Sequence, residues 1–321
     1  MSFKDVLGQP QAVSFLESLL KSGRFSGSYL FAGPDGVGKS LTLQGLAEAL
    51  LCEATPREGC GLCASCRQVK SRTHPDLIWV EAQAGSTHSI ESIRELKRML
   101  ALKPWGGGFR IVALIEAERA TEEAQNALLK LLEEPPEQTL FVLTSVEAER
   151  LLPTVRSRCR TLPFRALPEE VISRMARERW DASATEATLL ARLSQGSPGR
   201  AERFRSEGLL EKKNRWIEEF CQKALSIDRS SEFFGDREFS RQMLEVLLSW
   251  ARDLWVASLD GGKTLFLNQD RPVRTPLLST QALENSLQEL LLAGERLEQN
   301  ANQKLTLFVL ATRLKELGFD G

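Results

Sequence analysis

Four groups of residues in this 321-residue chain have types and spacings that bear on chemistry. The first is Gly33-Pro34-Asp35-Gly36-Val37-Gly38-Lys39-Ser40, which fits G-x-x-x-x-G-K-[ST] in full. It follows the strand-like run Tyr29–Ala32 and precedes a helical run from Leu41 to Leu51. Glycines at 33, 36 and 38 let backbone N–H groups turn inward around phosphates, and the helix N-terminus adds its positive end. Lys39 would reach the β- and γ-phosphates of ATP or ADP, and Ser40 the accompanying Mg2+. A chance glycine-rich turn is the competing reading, and the strand-loop-helix context opposes it. The second group is Cys52, Cys60, Cys63 and Cys66, three on a tight knuckle and one at a helix end. Four thiolates with C-x2-C spacing suit tetrahedral Zn2+, with no open position for substrate, so the role would be structural. An iron–sulfur cluster uses the same ligand type, and an unmetallated cluster is the third option. His74, in His74-Pro75-Asp76, could ligate but more readily caps its own turn. Cys159 and Cys221 stand apart.

The third group is defined by what it lacks. The apolar run Ile111–Ile115 ends at Glu116-Ala117. Hydrolysis at a phosphate loop needs a short carboxylate there for magnesium, and a base beside it for water. Glu116 keeps a carboxylate one methylene too long, and Ala117 has nothing to orient or deprotonate water. Errors of that size cost orders of magnitude in rate. Glu118 is next but one, and strand alternation points it roughly as Glu116 points; it could substitute, though that is the less favoured reading. Further on, Arg156, Arg158 and Arg160 crowd a segment between two candidate strands. Such a loop is a solvated or phosphate-touching patch in one reading. In another, one arginine completes a neighbour's ATP site in trans.

The elements that must position these groups alternate through the first half. Candidate strands are Tyr29–Ala32, Leu77–Val80, Ile111–Ile115, Leu140–Thr144 and Thr161–Phe164, with helical runs at Leu41–Leu51, Ile90–Leu102 and Glu122–Glu134. This predicts an α/β domain, a parallel sheet flanked by helices. After Pro168 the strands stop. Pro168–Trp180 and Thr185–Gln195 read as short helices closed by Gly196–Arg200, and everything long beyond about 205 is helical. Apolar stripes run through Leu244, Leu247, Leu248, Ala251, Leu254 and Trp255, through Leu283, Leu287, Leu290, Leu291 and Leu297, and through Leu307, Leu310, Leu314 and Leu317. Asp260–Pro276 is the one long loop expected. A net charge of −1 excludes a chain basic along its whole surface. The N-terminus has no apolar core of the signal-peptide kind. No apolar run approaches the roughly 18 residues of a membrane helix. A cytoplasmic protein is expected.

Taken together, the motifs resemble the clamp-loader subunits of bacterial DNA polymerase III, of the AAA+ class. The resemblance is carried by Val6-Leu7-Gly8-Gln9, the phosphate loop, the four-cysteine module, His74–Asp76, "NALLKLLEEPP" (Asn126–Pro136), "SRC" (Ser157–Cys159) and "GSPGRA" (Gly196–Ala201). These follow the family's order over residues 5 to about 201; the last third matches only in helical character and length. The resemblance implies an AAA+ nucleotide-binding domain over 1–165 with a zinc module at 52–66, a small helical lid over 166–205, and an all-α collar over 206–321 that joins a five-membered ring. It implies that Val6 and Leu7, with Gly8, lie near the adenine. Thr144 and Ser145 would stand at the first sensor, Arg200 would be the lid's sensor arginine, and Arg158 would reach ATP held by an adjacent motor subunit. Motor (tau/gamma) members carry an Asp-Glu pair at the strand end. Glu116-Ala117 departs from that pattern, so the resemblance is nearest to the non-hydrolysing delta prime type. The complete phosphate loop departs in turn from many of that type, so nucleotide would bind and stay. The implied partners are the motor and delta subunits and, through the assembled complex, the sliding clamp and primer-template DNA; no membrane is implied. Two rival readings are an ATP-hydrolysing motor and a zinc-dependent DNA-binding regulator with a nucleotide-sensing loop. The net charge and the lack of a helix-turn-helix pattern oppose the second.

Overall fold

The computed structural model describes all residues except 1–2, 24, 26, 83–85, 106–107, 224–235, 260–261, 272–277 and 319–321. The chain divides into two compact units, Met1–Leu167 with Ser197–Gly199, and Pro168–Gly196 with Arg200–Gly321.

The first unit is built on five parallel strands: β1 (Ser28–Ala32), β2 (Leu77–Val80), β3 (Arg110–Leu114), β4 (Thr139–Ser145) and β5 (Cys159–Pro163), in the order β2-β3-β4-β1-β5. Leu30 sits opposite Leu143 on one side and Thr161 on the other, which fixes the register of the central strand. Every residue of β3 and β4 is buried, as expected of strands covered on both faces. Alternation sends Phe31, Ile111, Ala113 and Val142 to one face with Leu43, Leu46 and Ala47, and Leu30, Val112, Leu114 and Leu143 to the other with Ile93, Leu96 and Leu128. The covering helices are α1 (Pro10–Ser22), α2 (Lys39–Leu51), α3 (Ala64–Lys70), α4 (Ile90–Leu100), α5 (Glu122–Glu133) and the short α6 (Pro153–Arg156). Their starts are local: Pro10 opens α1, and the side chains of Ser89 and Thr121 accept from Ser92 N and Ala124 N to cap α4 and α5.

The expected elements are present with ends moved by one or two residues. Two shifts matter. β3 stops at Leu114, before the residues of the strand-end motif, and β5 begins at Cys159, which draws Arg160 into the sheet.

The second unit is helical: α7 (Glu169–Trp180), α8 (Ala184–Ser194), α9 (Pro198–Ser206, of which Pro198 and Gly199 belong to the first unit), α10 (Leu209–Lys223), α11 (Arg237–Ser258), α12 (Thr280–Glu298) and α13 (Gln303–Glu316). The Gly196–Arg200 segment therefore opens a helix rather than only closing one. The core joins Leu190, Phe204, Trp216, Leu247, Leu283, Leu290, Leu307 and Leu310. Leu291, expected in that stripe, is 55% exposed, because the stripe follows a strict helical period from Leu283 to Leu290 and Leu297. The loop expected over 260–276 lies partly outside the described residues. Its described part is held by Asp253, whose carboxylate accepts from Leu267 N, Asn268 N and Asn268 Nδ2, each at 2.8 Å. It is also held by the fully buried Lys213, paired with Asp270 at 2.7 Å. Among the described residues, no helix is long and apolar enough to cross a membrane.

Candidate functional site

The phosphate loop occupies the C-terminal end of β1. Gly33 takes a φ of 153°, and a Cβ there would lie 2.1 Å from the carbonyl oxygen of Phe164, so only glycine fits. Its N–H donates to Ser145 O at 3.1 Å, tying the loop to the end of β4. Gly38, with φ 106°, precedes α2, whose N-terminus has no side-chain cap. The first amides of the helix are thus left for an anion, where the helix dipole also favours one. Lys39 is 7% exposed, and its ammonium donates to Gly33 O and Pro34 O, both at 2.6 Å. Burial lowers its pKa from the usual lysine range, while the negative charges of Asp35, Glu118 and Glu116 oppose the shift. A buried ammonium over an uncapped helix start is a donor set that fits nucleotide phosphates. Ser40 follows it on α2, partly buried.

Two supports of this loop carried no expected role. Gln9, 5% exposed, donates to Val37 O at 3.3 Å and to Arg165 O at 2.7 Å, and accepts from Arg165 N at 3.1 Å. It thereby locks the start of the chain, the loop and the exit of β5 together. Val6 and Leu7, just upstream, are half-buried. Gly199 N donates to Gly36 O at 2.9 Å, and a Cβ on Gly199 would come 3.1 Å from Gly36 Cα. Gln9 stood inside a quoted motif, whereas nothing in the sequence paired Gly199 with Gly36.

The strand-end motif does not continue β3. Glu116 takes a left-handed φ of 51°, and Ala117–Arg119 form a 3-10 turn. Strand alternation therefore no longer relates Glu118 to Glu116, which corrects the basis on which they were expected to point together. Glu116 N donates to Thr144 Oγ1 at 3.0 Å, and the Glu116 carboxylate pairs with Arg119 at 2.8 Å. Arg119 is itself anchored on Ser86 O at 2.6 Å. Ala117 is 1% exposed in the apolar layer beneath. Glu118 accepts from Val146 N at 2.9 Å through Oε1. His88, also unforeseen, pins this turn: its Nε2–H donates to Ile115 O at 2.7 Å, and its backbone pairs with Arg119 and Thr121. Burial, foremost, lowers the His88 pKa, so the ring is held neutral.

Arg158 lies after α6, apart from the phosphate loop of its own chain in sequence and element. Its guanidinium donates to Glu133 Oε2 at 3.2 and 3.3 Å and to Thr154 O at 3.1 Å, and remains 32% exposed. Arg156 is exposed at the end of α6, and Arg160 lies in β5 with its guanidinium 4.1 Å from the Phe15 ring centroid. The three arginines thus differ in their surroundings. Arg200, in the second unit, bonds Glu245 through Nε, with Arg203 3.6 Å from the same carboxylate oxygen.

The four cysteines converge: their sulfurs lie within 4.8 Å of one another. Cys52 and Cys63 Sγ are 3.9 Å apart, and Cys60 and Cys66 Sγ 4.0 Å. A tetrahedron with Zn–S bonds of about 2.3 Å has edges of about 3.8 Å. Backbone N–H groups of Thr55 and Cys60 donate to Cys52 Sγ, those of Leu62 and Cys63 to Cys60 Sγ, and that of Cys66 to Cys63 Sγ. Donors of this kind stabilise thiolates and orient them. Burial acts to raise the Cys52 pKa, but the N–H donors from Thr55 and Cys60 prevail and bring it to about 6. The cluster can hold a metal ion. His74 is no part of it, since its Nδ1 accepts from Asp76 N at 3.1 Å and caps the turn.

Over its whole length the chain is similar to the DNA polymerase III subunit delta' of Bacillus subtilis, 28% identical over 320 residues and covering 96% of each chain. It is 38% identical over 168 residues to the subunit gamma/tau of Mycobacterium tuberculosis, covering 52% of this chain and 29% of that one. To the tau subunit of Escherichia coli it is 36% identical over 205 residues, covering 61% and 31%. The chain thus spans less than a third of the gamma and tau relatives. A crystal structure of a DNA polymerase III gamma subunit-related protein from Thermotoga maritima superposes with a TM-score of 0.48 at 19% identity, covering 94% and 99%. The family model described as DNA polymerase III, delta subunit, matches residues 8–168, half of the chain. The chain belongs to that family, with an α/β domain that carries the phosphate loop on a five-stranded parallel sheet, followed by helices.

Proposed function

We propose that this protein is a non-hydrolysing ring subunit of the DNA polymerase III clamp loader, of the delta prime kind. The observation that carries the reading is the blunted strand end beside a complete phosphate loop. The Glu116 carboxylate is held by Arg119, and the position where a base would orient water is the buried methyl of Ala117. Gly33, Gly36, Gly38, Lys39 and Ser40 hold ATP or ADP with Mg2+, with Val6 and Leu7 toward the base and Thr144 at the strand end. Lacking a placed base, the site keeps what it binds, and the nucleotide is a structural ligand. Cys52, Cys60, Cys63 and Cys66 hold one structural Zn2+. In the ring, Arg158 enters the site of a tau/gamma motor and stabilises charge developing on its γ-phosphate. Residues 166–205, with Arg200, form the lid, and residues 206–321 form the collar that joins the motor and delta subunits in a five-membered ring in the cytoplasm. The sliding clamp and primer-template DNA are met through the complex. Support comes from the full-length similarity to a delta' subunit. The test is nucleotide binding and turnover by the isolated chain. Binding without measurable turnover is expected, and Lys39→Ala should abolish the binding. Robust ATPase that Lys39→Ala removes would install the motor reading instead.

A further inference from the structure

The strand-end turn contains a second carboxylate whose surroundings differ from those of Glu116. Glu118 Oε1 is fixed by the N–H of Val146, which directly follows β4. The residue before Val146, Ser145, gives its carbonyl to Gly33 N, the first amide of the phosphate loop. Glu118 is therefore held one residue from the contact that joins β4 to the loop. Among the described residues, its other oxygen, Oε2, is buried and accepts no hydrogen bond, and the Ser145 hydroxyl, fully buried, has no partner either. A carboxylate oxygen desolvated without a donor is costly unless a cation meets it. Lys39 does not hydrogen-bond to it, since its ammonium is placed on Gly33 O and Pro34 O. Of the two strand-end carboxylates, Glu118 acts on that ammonium more strongly than Glu116 does. Glu116, by contrast, is neutralised by Arg119 and 40% exposed at its side chain.

We infer that Glu118, not Glu116, is the strand-end carboxylate that holds the magnesium of a nucleotide bound at the phosphate loop. Mg2+ at such sites is held by one or two carboxylates and the ligand's phosphates, keeping several waters. A fixed Oε1 and an unpartnered Oε2 fit that requirement; a carboxylate already bonded to a guanidinium does not. The inference rests on the nucleotide-binding reading above, and it places the metal off the residue that the motif position would select.

The test is the affinity of the full chain for a fluorescent ADP analogue, with Mg2+ and with excess EDTA, in wild type, Glu118→Gln and Glu116→Gln. Glutamine keeps the acceptor for Val146 N, and the zinc content of each variant reports that the unit is folded. Wild type should bind more tightly with Mg2+. Glu118→Gln should lose that gain, about tenfold, while its affinity in EDTA is unchanged or higher, and Glu116→Gln should keep the gain. Mn2+ bound in the presence of ADP, followed by its paramagnetic resonance, should fall in parallel for Glu118→Gln only. A folded Glu118→Gln protein with an intact Mg2+ gain, or a Glu116→Gln protein without one, overturns the inference while leaving nucleotide binding standing. A wild-type chain that binds no nucleotide under either condition overturns both.

Discussion

Arg158→Ala separates a positioned finger from a piece of the fold. Within its own chain the guanidinium is 32% exposed, and its carboxylate partner, Glu133, is 60% exposed. An ion pair so open to water contributes about 0–1 kcal/mol, and the bond to Thr154 O joins groups that water can solvate in its place. Truncation should therefore cost the isolated protein less than about 1 kcal/mol. At a neighbour's γ-phosphate the same group is worth far more, on the order of 10^3 to 10^5 in rate in the best-measured transfers. The two magnitudes differ enough to be read separately. Urea denaturation and zinc content of the variant should match wild type, and the reconstituted ring should form. Turnover at the one motor site that Arg158 would serve should fall by at least tenfold, and clamp loading with it, while any motor sites that keep their own fingers set a floor under the total DNA-stimulated ATP hydrolysis. Arg156→Ala and Arg160→Ala are the controls, one exposed on α6 and the other resting on Phe15. Normal ATPase and loading in the Arg158→Ala ring would refute the argument, and equal losses from all three arginines would replace the finger by diffuse basic charge.

Metal analysis of protein purified without chelator should give about one zinc per chain. Cys63→Ser should lose it and destabilise the first unit by several kcal/mol, read as a lowered denaturation midpoint; bound iron with visible absorbance would sink the assignment. A pH effect should come from His88, buried neutral with a lowered pKa. The unfolded chain takes up a proton at about pH 6.5 and the folded ring only at lower pH. Its contribution is thus complete above about 6.5 and is lost as pH falls toward the folded value. Denaturation midpoints at pH 7.5 and 5.5 should differ less in His88→Gln than in wild type, and an unchanged difference would show that other groups govern the acid limb.

The sheet was legible because its strands are short apolar runs bounded by turn residues, and burial on both faces leaves such runs few alternatives. The phosphate loop and the cysteine knuckle were legible because their chemistry depends on spacing along the chain. What could not be read were pairings across the fold. Gln9 with Arg165, and Glu118 with Val146, join residues whose proximity depends on how β4 and β5 flank β1. The strand-end motif was misjudged in geometry for a similar reason. An apolar run shows where a strand can lie, but the left-handed turn at Glu116 depends on Thr144 and His88, which belong to other elements. In the second unit, nothing in the sequence marks Lys213 and Asp253 as buried, and only the folded loop around residues 266–270 explains it.

The packing beneath Ala117 bears on evolutionary reversibility. On the proposed reading, giving this chain the motor's Asp-Glu pair looks like two substitutions, Glu116→Asp and Ala117→Glu. Yet Ala117 lies at 1% exposure in an apolar layer with Leu114, Leu128 and Leu143, so a glutamate there would have to displace packed side chains or carry its charge out of water. An aspartate at 116 would meet Arg119, already anchored on Ser86, before it met a metal. Each single step toward hydrolysis is therefore destabilising or silent until the other positions have changed. On the non-hydrolysing reading proposed above, core packing around Ala117 would by itself act as a ratchet against regaining the activity.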